Sequence, residues 1–134
     1  MEIITKTLCQ PEDRLDFLPR HIGAKFLSYE QAIYQMMDKH CQGYTGGFWD
    51  YYTLSNGGFF MAYDQPDRGF RVEQPLNYYE GVMSAEAASI GVNLYVQNTF
   101  AWQVDPERFS DAYHALRDFA AQHLEGGEIL RFIN

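Results

Sequence analysis

Cysteines, basic residues and long apolar runs are scarce in this sequence. The two cysteines, Cys9 and Cys41, are too few for a disulfide framework in 134 residues, so we expect two reduced thiols. No stretch contains the roughly 18 consecutive apolar residues that a membrane-spanning helix needs. The opening residues, Met1 to Lys6, do not combine a basic segment with an apolar one, as a signal peptide would. We therefore expect a cytoplasmic protein.

Positive charge is outnumbered: 10 basic residues stand against 18 acidic ones, for a formal net charge of -8. A nucleic-acid binder needs a basic surface, and an anionic membrane attracts one. The charge therefore argues against direct binding to nucleic acid or to a membrane. It is compatible with a basic protein partner, or with a partner that itself binds DNA.

Residue patterns typical of catalysis and metal binding are missing. The thiols and imidazoles form no CxxC, HxxxH or HExxH spacing. They stand at Cys9, His21, His40, Cys41, His114 and His123. No GxSxG nucleophile elbow occurs, and neither Gly46-Gly47 nor Gly57-Gly58 has the Gly-Lys-Ser/Thr ending of a phosphate loop. We predict no catalytic, cofactor-binding or metal-binding residue, and a protein that is not an enzyme.

Aromatic residues, in contrast, are plentiful at 16% of the chain, within a hydrophobic fraction of 46%. This is enough apolar material for one substantial core, and we expect residues 1–134 to form a single domain. No repeat, low-complexity tract or long linker divides the chain.

Capping residues and apolar periodicity predict three helices. Ser28 is the expected N-cap of the first, Ser84 of the second and Asp105 of the third, where Pro106 follows. The second helix is apolar on two sides and should therefore be central. Gly126-Gly127 should end the third helix. The predicted positions are about Tyr29 to Gln42, from Ser84 onward, and Asp105 to about Leu124.

Two aromatic runs, Phe48–Leu54 and Phe59–Tyr63, flank Ser55-Asn56-Gly57-Gly58 and predict a β-hairpin. With Asn56-Gly57 as a two-residue type I′ loop, Leu54 pairs with Phe59 and Tyr52 with Met61. A loop at Gly57-Gly58 would shift this pairing.

Shorter runs predict further strands at Ile3–Leu8, Phe70–Glu73 and Asn77–Val82. Because strands and helices are segregated along the chain, we predict an α+β fold. It consists of a small antiparallel sheet built on the central hairpin and packed with about three helices.

A first candidate interaction surface lies on the hairpin. In the register above, Trp49, Tyr51 and Phe60 share the face turned away from the core and would form an aromatic contact surface. The alternative is that the N-terminal segment buries these three side chains.

A second candidate surface is a line of carboxylates on the third helix, formed by Glu107, Asp111, Asp118 and Glu125. It is either a solvated helix face or an imitation of DNA. The predicted third helix is about 27 Å long, and duplex DNA of that length carries about 16 charges. Four carboxylates copy that poorly, so we reject bulk DNA mimicry as the main mechanism.

A resemblance to a known family lies in the central segment Tyr44-Thr-Gly-Gly-Phe-Trp-Asp-Tyr-Tyr-Thr-Leu-Ser-Asn-Gly-Gly-Phe-Phe-Met-Ala62. This segment closely resembles the signature of ArdB/KlcA-type antirestriction proteins. Other segments resemble the same family, with Glu86 where the family has Asp. They are Arg14–Pro19, Ser84–Ala88, Leu116-Arg117, Gln122-His123 and Ile129–Arg131. The resemblance covers nearly the whole chain.

The resemblance implies a protein of plasmids or other mobile elements that protects incoming DNA from host type I restriction-modification. It implies as partner the restriction-modification enzyme or an associated host factor, reached directly or indirectly. No catalytic or metal residue is carried over. Two other interpretations stay open: a small enzyme of unrecognised class, and a general protein-binding module with an aromatic sheet surface.

Overall fold

Residues 2–134, the part of the chain that this computed structural model describes, contain five α-helices and five strands. In chain order they are β1 (Lys6–Leu8), α1 (Arg14–Ile22), α2 (Phe26–His40), β2 (Trp49–Leu54), β3 (Phe59–Tyr63), β4 (Gly69–Gln74), β5 (Tyr79–Ser84), α3 (Ala85–Gln103), α4 (Pro106–Gln122) and α5 (Gly126–Ile133). Helix α3 packs against α2, α4, α5 and β3, which confirms the central helix. Within residues 2–134, no helix has the length and apolar character needed to cross a membrane.

The strands form two antiparallel sheets. One has the order β1-β2-β3, and the other is the pair β4-β5. An isolated bridge between Cys41 and Val72 connects the end of α2 to β4. The predicted α+β class is confirmed, whereas two sheets and five helices replace the expected single sheet and about three helices.

Two of the three predicted helix starts are confirmed by their capping bonds. The Ser84 side chain accepts a hydrogen bond from Ala87 N, and the Asp105 side chain accepts one from Arg108 N. The prediction for Ser28 is wrong, because α2 already begins at Phe26 and no side chain caps it.

The helices that the sequence did not predict, α1 and α5, lie near the two ends of the chain. Helix α1 contains Pro19 and is held by the burial of Phe17, Leu18 and Ile22. Gly126 begins α5, where it was expected to end α4. A Cβ at Gly126 would lie 2.5 Å from the carbonyl oxygen of Ala120, so glycine permits the close approach of the two helices.

The side of α3 that faces β3 carries three fully buried polar side chains, Ser89, Asn93 and Gln97. They bond the backbone of alternate β3 residues. Tyr63 N donates to Ser89 Oγ at 2.9 Å, Asn93 bonds Met61 N and O at 3.1 and 2.8 Å, and Gln97 Nε2 donates to Phe59 O at 3.1 Å. Four residues of helix rise about 6 Å and two residues of strand about 6.6 Å, so the two spacings match.

This polar ladder, Ser89-Asn93-Gln97, covers the outer edge of β3. An edge strand leaves backbone groups unpaired, which costs free energy when they are buried and invites another strand when they are exposed. The ladder is extended to α2 through Tyr29, whose hydroxyl donates to Asn93 Oδ1 at 2.9 Å and accepts from Gln97 Nε2 at 3.1 Å. Helix α3 therefore replaces a fourth strand.

The hairpin of β2 and β3 is paired one residue away from the predicted register. Tyr52 faces Phe60, and Tyr51 faces Met61. The loop has three residues, because Gly57 N donates to Leu54 O at 3.0 Å while Leu54 N donates to Gly58 O at 2.8 Å. Only its third residue, Gly57, has a positive φ, of 92°. Both predicted two-residue loops are therefore wrong, and the geometry is that of a turn closed by a left-handed glycine.

The physical reason for the shift is a long-range contact of Asn56. Its Nδ2 donates to Ala115 O of α4 at 2.9 Å, and its Oδ1 accepts from Gly58 N at 3.2 Å. The side chain thus holds the loop against α4, a contact that local turn preferences cannot reveal.

Replacing the centre of the ladder should strongly destabilise the fold. Asn93→Leu keeps the volume but leaves Met61 N and O buried without partners, and we expect a loss of about 2–4 kcal/mol in the free energy of unfolding. Denaturant unfolding measures it. The control is Asn98→Leu on the exposed side of the same helix, which should change stability by about 0.5 kcal/mol or less. Equal losses in both variants would contradict the role of the ladder.

Gly57 should be required for its backbone conformation alone. A Cβ at Gly57 would meet no heavy atom within 4 Å, so Gly57→Ala should cost about 1–2 kcal/mol purely from the left-handed backbone. Gly127 also has open space around a Cβ but no positive φ, and Gly127→Ala serves as the control in thermal unfolding. A neutral Gly57→Ala would disprove the turn assignment.

Candidate functional site

Segments that carry the family resemblance meet at a cleft of about 530 Å³. The cleft lies between the three-stranded sheet, the first turn of α3 and the turn between α4 and α5. Its polar lining consists of Lys6, Asp50, Tyr52, Asp64, Ser84, Glu86, His123 and Glu125. We call it the signature cleft.

Glu86, in the first turn of α3, is the centre of the signature cleft. Its carboxylate pairs with Lys6 Nζ on one side and lies 2.9 Å from His123 Nε2 on the other. Glu125 N donates to His123 Nδ1 at 2.9 Å, which leaves His123 Nε2 as the donor to Glu86. The hydrogen bond from His123 lowers the pKa of Glu86 to about 2, with Lys6 acting in the same direction and burial opposing it.

Ser84 is committed to structural bonds. Its Oγ accepts from Ala87 N at 3.1 Å as the cap of α3, and donates to Glu125 Oε2 at 2.5 Å. Ser84 N donates to Glu125 Oε1 at 2.8 Å. The serine therefore faces a carboxylate rather than the imidazole of His123, and this is not the arrangement of an activated nucleophile. Together these bonds fasten the start of α3 to the turn between α4 and α5.

The signature cleft is anionic. Burial raises the pKa of Asp50, and the nearby charge of Asp64 raises it further. Four carboxylates face one lysine, Lys6, whose Nζ lies 4.6 Å from the centre of the Tyr52 ring. In chemical terms the cleft favours a positively charged group. Among residues 2–134, no group of three or more His, Cys, Asp or Glu side chains is placed to hold a metal ion.

The predicted aromatic surface is not accessible. Trp49, Tyr51 and Phe60 are only 3%, 8% and 0% exposed. The one-residue shift of register places Phe60 on the opposite face from the other two, since neighbouring positions of a strand alternate between faces. The Tyr51 ring stacks on that of Phe17 in α1, with centroids 5.0 Å apart. The Phe60 ring packs against that of Phe119 in α4, with centroids 5.8 Å apart. The N-terminal segment therefore covers the sheet face that carries Tyr51, as in the alternative prediction. Helix α4 covers the opposite face, which carries Phe60.

The predicted acidic line is divided between two places. Glu107, Asp111 and Asp118 are exposed on α4. Glu125 is not, because α4 ends at Gln122 and Glu125 is half-buried in its bonds to Ser84. The expectation that all four are exposed is wrong for this residue.

The network of Lys6, Glu86 and His123 was not predicted from sequence. Glu86 and His123 stand within segments that resemble the family, and this was the available signal. Nothing local indicates that residues 37 positions apart share a hydrogen bond.

The fold matches a solved structure reported for the KlcA and ArdB proteins, with a TM-score of 0.90 and 35% identity over 100% of this chain and 99% of that chain. That work describes a novel fold and antirestriction activity against type I DNA restriction systems in vivo but not in vitro.

Sequence comparison agrees with the structural match. The chain is 38% identical to the antirestriction protein KlcA of Escherichia coli over 98% of this chain and 94% of that protein. It is 41% identical to the uncharacterized protein YafX of Escherichia coli strain K12, over 98% and 88%. Residues 42–134 match the antirestriction protein family model. The chain belongs to the antirestriction protein family, which confirms the resemblance seen in the central segment.

Glu86 should make the stability of the fold depend on acid. Its folded pKa of about 2 lies below the ordinary value of 4.5, so its contribution is complete above pH 4.5 and is lost as the pH falls towards 2. Its side chain is 31% exposed, so solvent screening limits the contribution to about 1–2 kcal/mol. Denaturant unfolding from about pH 6 to about pH 2 should show a smaller loss for Glu86→Gln than for the natural chain.

The matched control is Glu107→Gln, which removes an exposed carboxylate of α4. This variant should keep the pH dependence of the natural chain. If Glu86→Gln also kept this pH dependence, the interactions of ionised Glu86 with Lys6 and His123 would contribute nothing to stability.

Proposed function

We propose that this protein relieves host type I restriction-modification of incoming plasmid or mobile-element DNA, acting in the bacterial cytoplasm by protein interaction. The observation that carries the proposal is the full-length match to the KlcA and ArdB structure, for which that activity is reported in vivo. The match has a TM-score of 0.90 and extends over 100% of this chain and 99% of the matched one.

The partner we propose is the type I enzyme or an associated host factor, and the action is indirect. The KlcA and ArdB proteins act in vivo but not in vitro. An inhibitor that only occupied the DNA site of the enzyme would act in both settings. A requirement for a further component of the cell accounts for the difference.

The charge distribution argues against imitation of DNA as the mechanism. Helix α4 has 17 residues and spans about 26 Å, over which duplex DNA carries about 15 charges. The outer side of α4 presents Glu107, Asp111 and Asp118, with the exposed cations Arg108 and Arg117 on its flanks. A catalytic mechanism is equally unsupported by the signature cleft, where the hydroxyl of Ser84 serves as a helix cap.

The experiment is a plating assay of unmodified phage on bacteria that carry a type I system, with and without this protein. We expect plating efficiency to rise at least tenfold in its presence, and to stay unchanged on bacteria that carry a type II enzyme. No increase on the type I strain, with the folded protein present in the cells, would refute the proposal.

Neutralising the exposed carboxylates of α4 should leave most of the activity. The variant carries Glu107→Gln, Asp111→Asn and Asp118→Asn, and should fold normally because the three side chains are exposed. We expect relief of restriction within about threefold of the natural protein, since three charges cannot replace a duplex. Complete loss in the folded variant would show that electrostatic mimicry matters.

A further inference from the structure

The loop between β4 and β5 presents two large apolar side chains to solvent. Gln74 pairs with Tyr79, so residues 75–78 form the connection. Within it, Leu76 is 88% exposed and Tyr78 is 93% exposed. Single exposed apolar residues are ordinary on protein surfaces, whereas two in one four-residue loop call for a physical reason.

Tyr78 occupies a backbone conformation that tyrosine disfavours. Its φ of 61° and ψ of 25° are left-handed, and it is the only residue other than glycine with a positive φ between residues 2 and 134. Glycine and asparagine take this conformation at lower cost. Because the ring is almost fully exposed, it gains no packing within the chain that offsets the cost. The fold therefore does not account for a tyrosine here.

The loop is nevertheless firmly held. Asn77 Nδ2 donates to Phe132 O at 2.9 Å, and Asn77 Oδ1 accepts from Tyr79 N at 3.0 Å. On the other side, Gln74 Oε1 accepts from Leu76 N at 3.2 Å. The two exposed side chains thus project from a fixed base, so little backbone freedom would be lost when a partner binds them.

The charges around the loop are paired with one another. Arg71 forms ion pairs with Glu73 and Glu80, and Arg131 with Glu128. A partner at this place therefore meets an apolar contact rather than a charged one. The net charge of -8 disfavours the anionic membrane surface as the partner.

We infer that Leu76 and Tyr78 form an anchor that inserts into an apolar pocket of the cellular protein through which restriction is relieved. This inference rests on the proposed function. Both side chains protrude, so the partner supplies the pocket, and an aromatic ring is the kind of side chain that carries binding energy at such contacts. Trp102 is also 83% exposed, but it lies on α3 with ordinary helical geometry, and its position requires no strained residue.

The test combines thermal stability with the plating assay. Tyr78→Asn keeps a residue that tolerates the left-handed backbone, and Leu76→Ser removes the second apolar group. We expect a Tm within about 3 °C of the natural protein for each variant, and relief of restriction reduced at least tenfold. The control is Leu15→Ser on α1, where the leucine is 93% exposed, and it should relieve restriction normally.

Each other outcome overturns the inference. Full relief of restriction by both variants would contradict the role of Leu76 and Tyr78 and leave the proposed function intact. No relief of restriction by the natural protein would contradict both the anchor and the proposed function. A large fall in Tm for Tyr78→Asn would show that the tyrosine serves the fold. If the protein sedimented with phosphatidylglycerol vesicles and Tyr78→Asn abolished this binding, the occupant would be a membrane instead. If the protein self-associated in analytical ultracentrifugation and Tyr78→Asn abolished the association, the occupant would be a second copy of the chain.

Discussion

The hydrogen bonds between α3 and the outer edge of β3 fix the position of the central helix, against which α2, α4 and α5 pack. Ser89, Asn93 and Gln97 stand one helical turn apart and meet alternate residues of the strand, so the two elements fit in one relative position only. The bonds are fully buried, and leaving such groups without partners in a low-dielectric interior is costly. With β3 fixed on one side of α3, its apolar side remains for α4 and α5. Helix α3 thus closes the sheet in place of a strand.

The residues of the family signature make contacts that build the scaffold. Trp49 Nε1 donates to the Tyr44 hydroxyl at 3.2 Å, and the Tyr63 hydroxyl donates to Gly46 O at 2.7 Å. Asn56 holds the hairpin loop to α4. These contacts use the aromatic and glycine-rich segment to build the interior of the sheet. The loop with Leu76 and Tyr78 lies outside the segment that first indicated the family.

Some local features could be predicted from the sequence, whereas contacts between distant segments could not. Ser84 and Asp105 marked their helix starts because capping depends on neighbouring residues. The register of the hairpin escaped prediction because Asn56 bonds to Ala115, far along the chain. Glu125 was assigned to the exposed face of the third helix. No sequence pattern shows that Gly126 approaches Ala120 closely and begins a new helix. The hydrogen bond between Glu86 and His123 likewise depends on the fold, and no sequence motif predicts it.

Native-state hydrogen exchange of the Met61 and Tyr63 amides measures whether α3 closes the sheet. These amides donate to Asn93 Oδ1 and Ser89 Oγ on the edge of β3 that carries no further strand. If α3 closes the sheet, both should exchange only through global unfolding, with the free energy of opening equal to that of the whole protein. Exchange of both amides through local opening, at a free energy well below that of global unfolding, would show that β3 behaves as a free edge that α3 does not close.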